Sequence, residues 1–169
     1  YTSGYEEFTD NDTNDRTSHR DKNGNITSYE YDDKGNVIVE KTPVGDVIKT
    51  VYSKLDRLVS VEVNGVVVAQ NEYDNDDNLV SSSDALGRAV GYEYNEYKLP
   101  VKIINPDGTS LSLSYDDRGN IDEIIDELGN PNKYSYDDLN RVTSTVDANG
   151  NLEKFDYNER HELTESINP

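Results

Sequence analysis

Apolar and polar residues alternate along short runs of the chain, and glycine, asparagine and aspartate separate these runs. Leu111, Leu113 and Tyr115, for example, alternate with Ser112 and Ser114. Successive side chains of a strand point to opposite faces of a sheet, so a period of two indicates β-strands. The pattern therefore predicts strands with one buried face and one solvated face.

These runs recur at a fixed interval. A tyrosine returns with a constant 21-residue spacing, at Tyr31, Tyr52, Tyr73, Tyr94, Tyr115, Tyr136 and Tyr157. A glycine follows most of these tyrosines at a second constant offset, at Gly45, Gly87, Gly108, Gly129 and Gly150. Gly65 comes one position early in its unit. Constant spacing of this kind indicates an array of short repeats, with these residues as structural landmarks.

Each repeat contains two turn signals, and the segments between them have the length of strands and are too short for most helices. The turns carry Gly or Asn where a tight turn needs a positive φ, as in Asn149-Gly150. The first segment of a repeat is rich in β-branched residues, as at residues 37–39. The sequence thus predicts an all-β fold of tandem 21-residue antiparallel β-hairpins that form one curved sheet.

Aromatic residues are also spaced for a common sheet face. Several lie two positions before a landmark tyrosine, as Tyr29 does before Tyr31, Tyr134 before Tyr136 and Phe155 before Tyr157. Consecutive hairpins would place these rings in a row across the sheet. We expect the row to form the core, with each landmark tyrosine largely buried and stacked on its equivalent in the next hairpin.

The array has a predicted beginning at residue 26. Residues 1–25 are mostly polar and carry the 21-residue frame only at Gly24, so they form a polar lead-in that is a decayed repeat or an exposed loop, with disorder of part of it as the alternative. Residues 26–169 form the repeat array. The chain opens without methionine and stops inside a unit, which we interpret as a piece of a longer protein.

The residues around the tyrosines resemble a known motif. Residues 31–37 read YDDKGNV and residues 115–121 read YDDRGNI, and each is followed by a second turn and a strand that returns to the next tyrosine. This pattern resembles the YD repeats of Rhs-type proteins, from about residue 23 to the end of the chain. Ser53, Asn95 and Asn158 stand where the best copies have aspartate.

The resemblance implies a function as well as a fold. The Rhs-type family includes bacterial polymorphic toxins, insecticidal toxin complexes and animal teneurins, in which such repeats wind into a spiral β-shell. The bacterial shells enclose a toxic carboxy-terminal segment of the same chain. The resemblance thus implies a structural segment of a secreted or cell-surface bacterial protein, with neighbouring repeats and an enclosed toxin as partners. The alternative is an adhesion module at the cell surface that binds carbohydrate or protein.

Composition limits the partners. The chain has 169 residues, no cysteine and a formal net charge of −19, which leaves no disulfide framework and no thiolate site. A phosphate backbone or an anionic membrane would be repelled, so we expect neither nucleic-acid binding nor membrane insertion. A cationic partner remains possible, although the charge is more simply a means to keep an edge-rich sheet soluble.

No residue is assigned to catalysis. His19 and His161 lie in a polar stretch and at a turn position, and neither is paired with a nucleophile in the sequence pattern. The serines at 81–83 and at Ser110, Ser112 and Ser114 lack a nucleophile elbow and fit the polar face of strands. The sequence therefore predicts no enzyme and no cofactor.

The acidic turns are the nearest candidates for a ligand site. Asp74, Asp76 and Asp77, or Asp32 with Asp33, would bring carboxylates near backbone carbonyls, which are the ligands of calcium. The ligand order of an EF-hand and the glycine-rich nonapeptide of calcium β-rolls are missing. Turn capping by Asp and Asn explains the same residues, so no metal site is assigned. The tyrosine rows leave open a platform for stacking sugars.

Overall fold

The computed structural model describes residues 6–167, so residues 1–5 and 168–169 of the predicted lead-in and array lie outside the described part. The described part contains sixteen strands and no helix. It therefore includes no helix with the length and apolarity that a membrane span requires.

The chain divides into two units, Tyr1–Ala89 and Val90–Pro169. The first unit holds β1 (Glu7–Asp10), β2 (Arg16–Arg20), β3 (Ile26–Tyr31), β4 (Val37–Lys41), β5 (Val47–Tyr52), β6 (Leu58–Val63), β7 (Val66–Tyr73) and β8 (Leu79–Asp84). The second unit holds β9 (Ala89–Tyr94), which begins at the boundary, β10 (Pro100–Ile104), β11 (Ser110–Tyr115), β12 (Ile121–Ile125), β13 (Pro131–Tyr136), β14 (Val142–Val146), β15 (Leu152–Tyr157) and β16 (Leu163–Ile167).

Within each unit, the strands pair antiparallel in the order in which they follow along the chain. Short turns join all of them, and a short turn can only connect antiparallel neighbours. The predicted all-β fold of tandem antiparallel hairpins is thus confirmed. The polar lead-in contributes β1 and β2 as strands with turns at residues 11–15 and 21–25.

A β-bulge marks the end of the strands that carry a landmark tyrosine. The register shifts between the tyrosine and the residue before it in β3, β5, β7, β11, β13 and β15. The extra residue lies on the strand that follows the turn: Asp122, for example, has no partner in the ladder, because Ser114 pairs with Glu123 and Tyr115 pairs with Ile121. The bulge therefore recurs with the repeat.

The unit with the early Gly65 keeps the 21-residue spacing with a different turn and a different strand register. Asn64 and Gly65 have φ values of 52° and 85°, which define a two-residue turn of type I′. This turn is shorter than the others, and β7 compensates with eight residues and a register shift opposite the step from Val61 to Glu62. The extra strand residue restores the spacing, so Tyr73 returns to its place in the repeat.

The strand register places unlike side chains on the two faces of the sheet. Leu113 pairs with Ile124, so these residues share the face of the landmark tyrosines. The other face carries cross-strand ion pairs, including Lys41 with Glu30 at 3.1 Å and Lys133 with Glu123 at 3.4 Å. Lys133 lies directly opposite Glu123, while Lys41 is the diagonal neighbour of Glu30, and a directly opposed pair of opposite charges stabilises a sheet modestly, by about 0.2–1 kcal/mol.

The prediction that the aromatic row forms a core of largely buried tyrosines is wrong. No described residue is buried, and all seven landmark tyrosines are only half-buried. The physical reason is that strand contacts in each unit run between consecutive strands, so no second layer of the same unit covers the tyrosine face. Stability in each unit must come from the hydrogen-bonded ladder, from contacts between neighbouring hairpins and from the turns.

Candidate functional site

The most regular feature of the molecule is a five-residue turn, here called the YD turn, with its residues numbered as positions 1 to 5. YD turns follow the landmark tyrosines at residues 32–36, 53–57, 74–78, 95–99, 116–120, 137–141 and 158–162, and residues 11–15 form the same turn. In each of them the N–H of position 1 donates to the carbonyl of position 5, and the N–H of position 4 donates to the carbonyl of position 1.

Side-chain capping completes the YD turn, as residues 116–120 illustrate. One carboxylate oxygen of Asp116 accepts the backbone N–H groups of Arg118 at 2.9 Å and Asn120 at 2.8 Å. The other oxygen accepts the side-chain amide of Asn120 at 2.9 Å. One carboxylate thus satisfies three donors, which is why a turn needs aspartate or a similar acceptor at position 1.

The turns that depart from the motif keep the same geometry. Ser53 accepts the N–H groups of positions 3 and 5 with its hydroxyl oxygen, both at 3.2 Å. Asn95 accepts the corresponding pair with its amide oxygen, both at 3.0 Å, and Asn158 does so at 2.9 and 3.0 Å. Any short side chain with an acceptor oxygen can therefore cap this turn.

Position 4 of the YD turn has a positive φ throughout. The glycines Gly35 and Gly119 have φ values of 89° and 84°, while Asn14, Asp56, Asp77, Lys98, Asn140 and His161 have values between 60° and 68°. Asp, Asn and His tolerate this left-handed conformation better than most residues with a side chain. The glycine landmarks Gly45, Gly87, Gly108, Gly129 and Gly150 occupy the equivalent position of the second turn, with φ between 74° and 96°.

The hydroxyl groups of landmark tyrosines form hydrogen bonds between neighbouring strands. The hydroxyl of Tyr115 donates to the carbonyl of Pro100 at 2.5 Å, and that of Tyr136 donates to the carbonyl of Ile121 at 2.7 Å. Each acceptor is the first residue of the preceding strand. The same bond links Tyr31 to Arg16, Tyr73 to Leu58 and Tyr157 to Val142. The hydroxyl therefore explains why tyrosine, and not phenylalanine, recurs at this position.

Contacts between successive YD turns are the part of the site that the sequence pattern missed. Position 5 of one turn donates to position 4 of the next: Asn36 to Asp56 at 3.0 Å, Arg57 to Asp77 at 2.9 Å, Asn120 to Asn140 at 2.9 Å, and Arg141 to His161 at 3.2 Å. The available signal was a donor at position 5 followed, one repeat later, by an acceptor at position 4. Only the sheet brings the two positions together.

The two histidines take part in local contacts. His19 stacks on Phe8 with ring centroids 4.9 Å apart, and the guanidinium of Arg16 lies 3.9 Å from the Phe8 centroid. The Nε2 atom of His19 is buried and has no hydrogen-bond partner. His161 occupies position 4 of its turn and contacts Arg141. The structure brings neither histidine next to a nucleophile in the contacts it describes.

The acidic and serine candidates lie in turns and strands. The carboxylate of Asp74 accepts the N–H groups of Asp76 and Asn78 at 2.9 and 2.8 Å, which is the geometry of turn capping. The serines at 81–83 lie on β8, and Ser110, Ser112 and Ser114 lie on β11. In the described part of the chain, no three His, Cys, Asp or Glu side chains are grouped to hold a metal ion.

Acid titration should reveal the capping bonds directly. The N–H and guanidinium of Arg141 both donate to Asp137 and lower the pKa of its carboxyl from 3.8 to about 2. Because the folded pKa is depressed, this stabilisation is complete above the unfolded pKa of about 3.9 and is lost as the pH falls through about 2. Carbonyl-detected NMR should find the Asp137 pKa at about 2.

The matched variants for this titration are Arg141→Gln and Arg160→Gln. We expect Arg141→Gln to raise the Asp137 pKa only part of the way, because the backbone N–H of residue 141 still donates. Arg160→Gln removes the same charge from another turn and should leave the Asp137 pKa unchanged. An Asp137 pKa that does not respond to Arg141→Gln would contradict the assignment.

Two family models match the chain. The model described as Teneurin YD-shell matches residues 11–129, which is more than half of the chain. The chain belongs to the Teneurin YD-shell family. The model described as RHS Repeat matches residues 115–152 and 136–169, so RHS repeats extend to the end of the chain. No curated protein sequence matches the chain.

Solved structures share the fold of these YD-shell repeats. A mutant Tc holotoxin pore of Photorhabdus luminescens matches with a TM-score of 0.66 and 16% identity, over 85% of this chain. Complexes of TcdB2 with TccC3, with and without Cdc42, match with the same score, identity and coverage. The chain spans 9% of the length of each of these proteins. At this identity the likeness establishes the fold alone, and the YD-shell segment is a small part of such a chain.

Proposed function

We propose that this segment is part of the wall of a secreted or surface-associated bacterial Rhs-type shell, which encloses a carboxy-terminal toxin of the same protein. The observation that supports the proposal is the way each hairpin is joined to the next. The strand ladder, the tyrosine hydroxyls and the turn contacts all bond consecutive repeats, while no residue of the described part is buried. A wall built this way can be extended by any number of repeats.

The chemistry of the surface agrees with a passive wall. The carboxylates that cap the YD turns are occupied by the donors of their own turns, as in Asp116 and Asp137. The net charge of −19 opposes contact with nucleic acid and anionic lipid. We therefore propose that the segment has no hydrolase, transferase or nuclease activity of its own, and that it acts by separating a cargo from proteases and from its targets.

Deletion of one whole repeat from the full-length protein tests whether the segment is part of an enclosing shell. Removing residues 116–136 joins Tyr115 to Asp137, which recreates the Tyr-Asp step of the motif and shortens the array by one complete unit. We expect the strand content measured by circular dichroism to persist while limited proteolysis cuts the cargo faster. The control is Tyr115→Phe, which keeps the repeat number and should leave the cargo protected. Equal protection in the deletion variant would contradict an enclosing role.

The second candidate is a carbohydrate-binding face, and one observation favours it. The landmark tyrosines are half-buried, and Tyr97 at a turn is 75% exposed, so aromatic rings are accessible for stacking. Saturable binding of this segment to a glycan array or to cells would support the adhesion function. If the full-length protein also carries no downstream effector, the wall proposal is wrong and adhesion replaces it.

A further inference from the structure

Two equivalent grooves lie between successive YD turns, one in each unit. The first groove lies between turns 11–15 and 32–36 and has a cavity of about 490 Å³. The second lies between turns 95–99 and 116–120 and has a cavity of about 730 Å³. The two sets of turn residues are offset by four whole repeats. The grooves therefore arise from the same place in the repeat.

Glycine at position 4 distinguishes these two grooves from the other turn pairs within the units. Gly35 and Gly119 occupy that position in the second turn of each groove. The pairs that end at Asp56, Asp77, Asn140 and His161 are closed instead by a side chain that bonds to position 5 of the preceding turn. We interpret this bond as the contact that closes the space between two successive turns.

Geometry at the two glycines supports this explanation. A Cβ atom added at Gly119 would lie 3.9 Å from Leu99, and one added at Gly35 would lie 3.9 Å from Asp15. Asp15 and Leu99 are position 5 of their turns, so a side chain at position 4 points at position 5 of the turn before it. Neither a carboxylate nor an alkyl group can donate the closing hydrogen bond. The two open grooves thus lack both the donor at position 5 and the side chain at position 4 that form this bond in the closed pairs.

One of the closed turn pairs shows which kind of side chain can lie against a landmark tyrosine. Arg141, at position 5, places its guanidinium 4.6 Å from the ring centroid of Tyr157, the tyrosine before the next YD turn. The same guanidinium pairs with the carboxylate of Asp137 at 2.6 Å. Arg57 fills the equivalent position of another closed pair and binds Asp77. In the two open grooves position 5 is Asp15 or Leu99, so this position supplies no arginine to Tyr31 or Tyr115.

We propose that each open groove binds an arginine side chain of a basic peptide segment. In the second groove the guanidinium would lie on the ring of Tyr115 near the exposed carboxylate of Asp117, and its alkyl stem would contact Leu99 and Tyr97. Tyr31 and Asp33 are the equivalent residues of the first groove. Arg118 also lines the second groove, where its Nε lies 3.8 Å from the carboxylate of Asp116 and its Nη1 donates to the carbonyl of Asp137, so Asp117 is the carboxylate proposed to pair with the guanidinium of the peptide.

The charge of the chain favours the same occupant. A net charge of −19 raises the local concentration of cationic peptides and repels acidic ones. Charge alone would attract any basic peptide to any part of the surface, whereas the groove predicts a defined location. This site is independent of the enclosing function, because it depends only on the turns of the segment.

The test is an NMR titration of the 169-residue chain with N-acetyl-argininamide. We expect saturable shifts of the Tyr115 and Tyr31 ring signals and of the Asp117 and Asp33 amide signals. N-acetyl-citrullinamide has nearly the same shape without the charge and should give no saturable shift. Equal shifts with both compounds, or shifts spread over the exposed carboxylates without saturation, would overturn the proposal.

A charge-neutral double variant tests the location. Leu99→Asn with Gly119→Asn copies the closed pair of Asn120 and Asn140 and should close the second groove. The affinity reported by Tyr115 should fall by about fivefold, the order expected for losing a cation–π contact, while Tyr31 reports unchanged binding in the same molecule. Unchanged binding at Tyr115 would overturn the proposal, since net charge and fold are the same.

The reciprocal double variant controls for a loss of binding that is caused by a folding defect in the variant Leu99→Asn with Gly119→Asn. Asn120→Leu with Asn140→Gly copies Leu99 and Gly119 and should open a new groove beside Tyr136. We expect a new saturable shift of the Tyr136 ring signal with N-acetyl-argininamide and none with the citrulline compound. A properly folded reciprocal variant without this shift would show that glycine at position 4 does not create the site, and the proposal would fail.

Discussion

Replacing Tyr115 by alanine is expected to lower the free energy of unfolding of the segment by about 2 kcal/mol, from a half-buried aromatic ring and its hydroxyl bond. The ring covers part of the sheet face, and the hydroxyl donates to the carbonyl of Pro100 at 2.5 Å. A fully buried aromatic residue would cost about 3–5 kcal/mol, so the smaller value follows from the open face of the sheet. Chemical denaturation gives the measurement.

Tyr115→Phe separates the two contributions. The ring stays and only the hydroxyl bond is lost, so we expect a decrease of about 1 kcal/mol. If Tyr115→Ala cost less than about 0.5 kcal/mol, the tyrosine row would be a surface feature that does not join hairpins. A cost in the range of about 3–5 kcal/mol in the full-length protein would instead show that another part of that protein covers this face.

Replacing Gly129 by valine is expected to destabilise the segment by about 2 kcal/mol through backbone strain alone. Gly129 has a φ of 85°, and an added Cβ would meet nothing within 4 Å. The Cβ atom therefore meets no neighbour, and the expected cost arises because a β-branched residue is strongly disfavoured at positive φ.

Gly129→Asn is the matched control for this strain. Asparagine also adds a side chain, but it adopts the left-handed conformation more readily, as Asn140 does with a φ of 60°. We expect a loss below about 1 kcal/mol for the asparagine variant. If valine and asparagine destabilised the segment equally in chemical denaturation, the conformational explanation of the landmark glycines would be wrong.

Local patterns predicted the strands and turns because both depend on neighbours in sequence. The alternation around Tyr115 predicts a strand, and Gly129 or Asn149-Gly150 predicts a turn, whatever lies opposite. The capping of the YD turn is equally local, since Asp116 bonds residues two and four positions ahead. This is also why Ser53 could replace aspartate without loss of the turn.

The burial of the tyrosines and the contacts between repeats could not be predicted from local sequence patterns. An alternating strand looks the same whether its apolar face meets a second layer or remains open, so the tyrosines were expected to be buried and are not. The unit of Asn64 and Gly65 was seen to have an early glycine, but the compensating register shift opposite Val61 depends on pairing with another strand.

The sequence by itself determined the constant repeat period, the all-β class and the two turns of each repeat, because these follow from side-chain alternation and from residues that permit a positive φ. The tertiary structure decided which side chains from different repeats meet. Arg141 reaches Tyr157 and His161 only because the sheet places consecutive turns side by side. The open grooves beside Gly35 and Gly119 are likewise a consequence of residues in successive repeats, which no local pattern brings together.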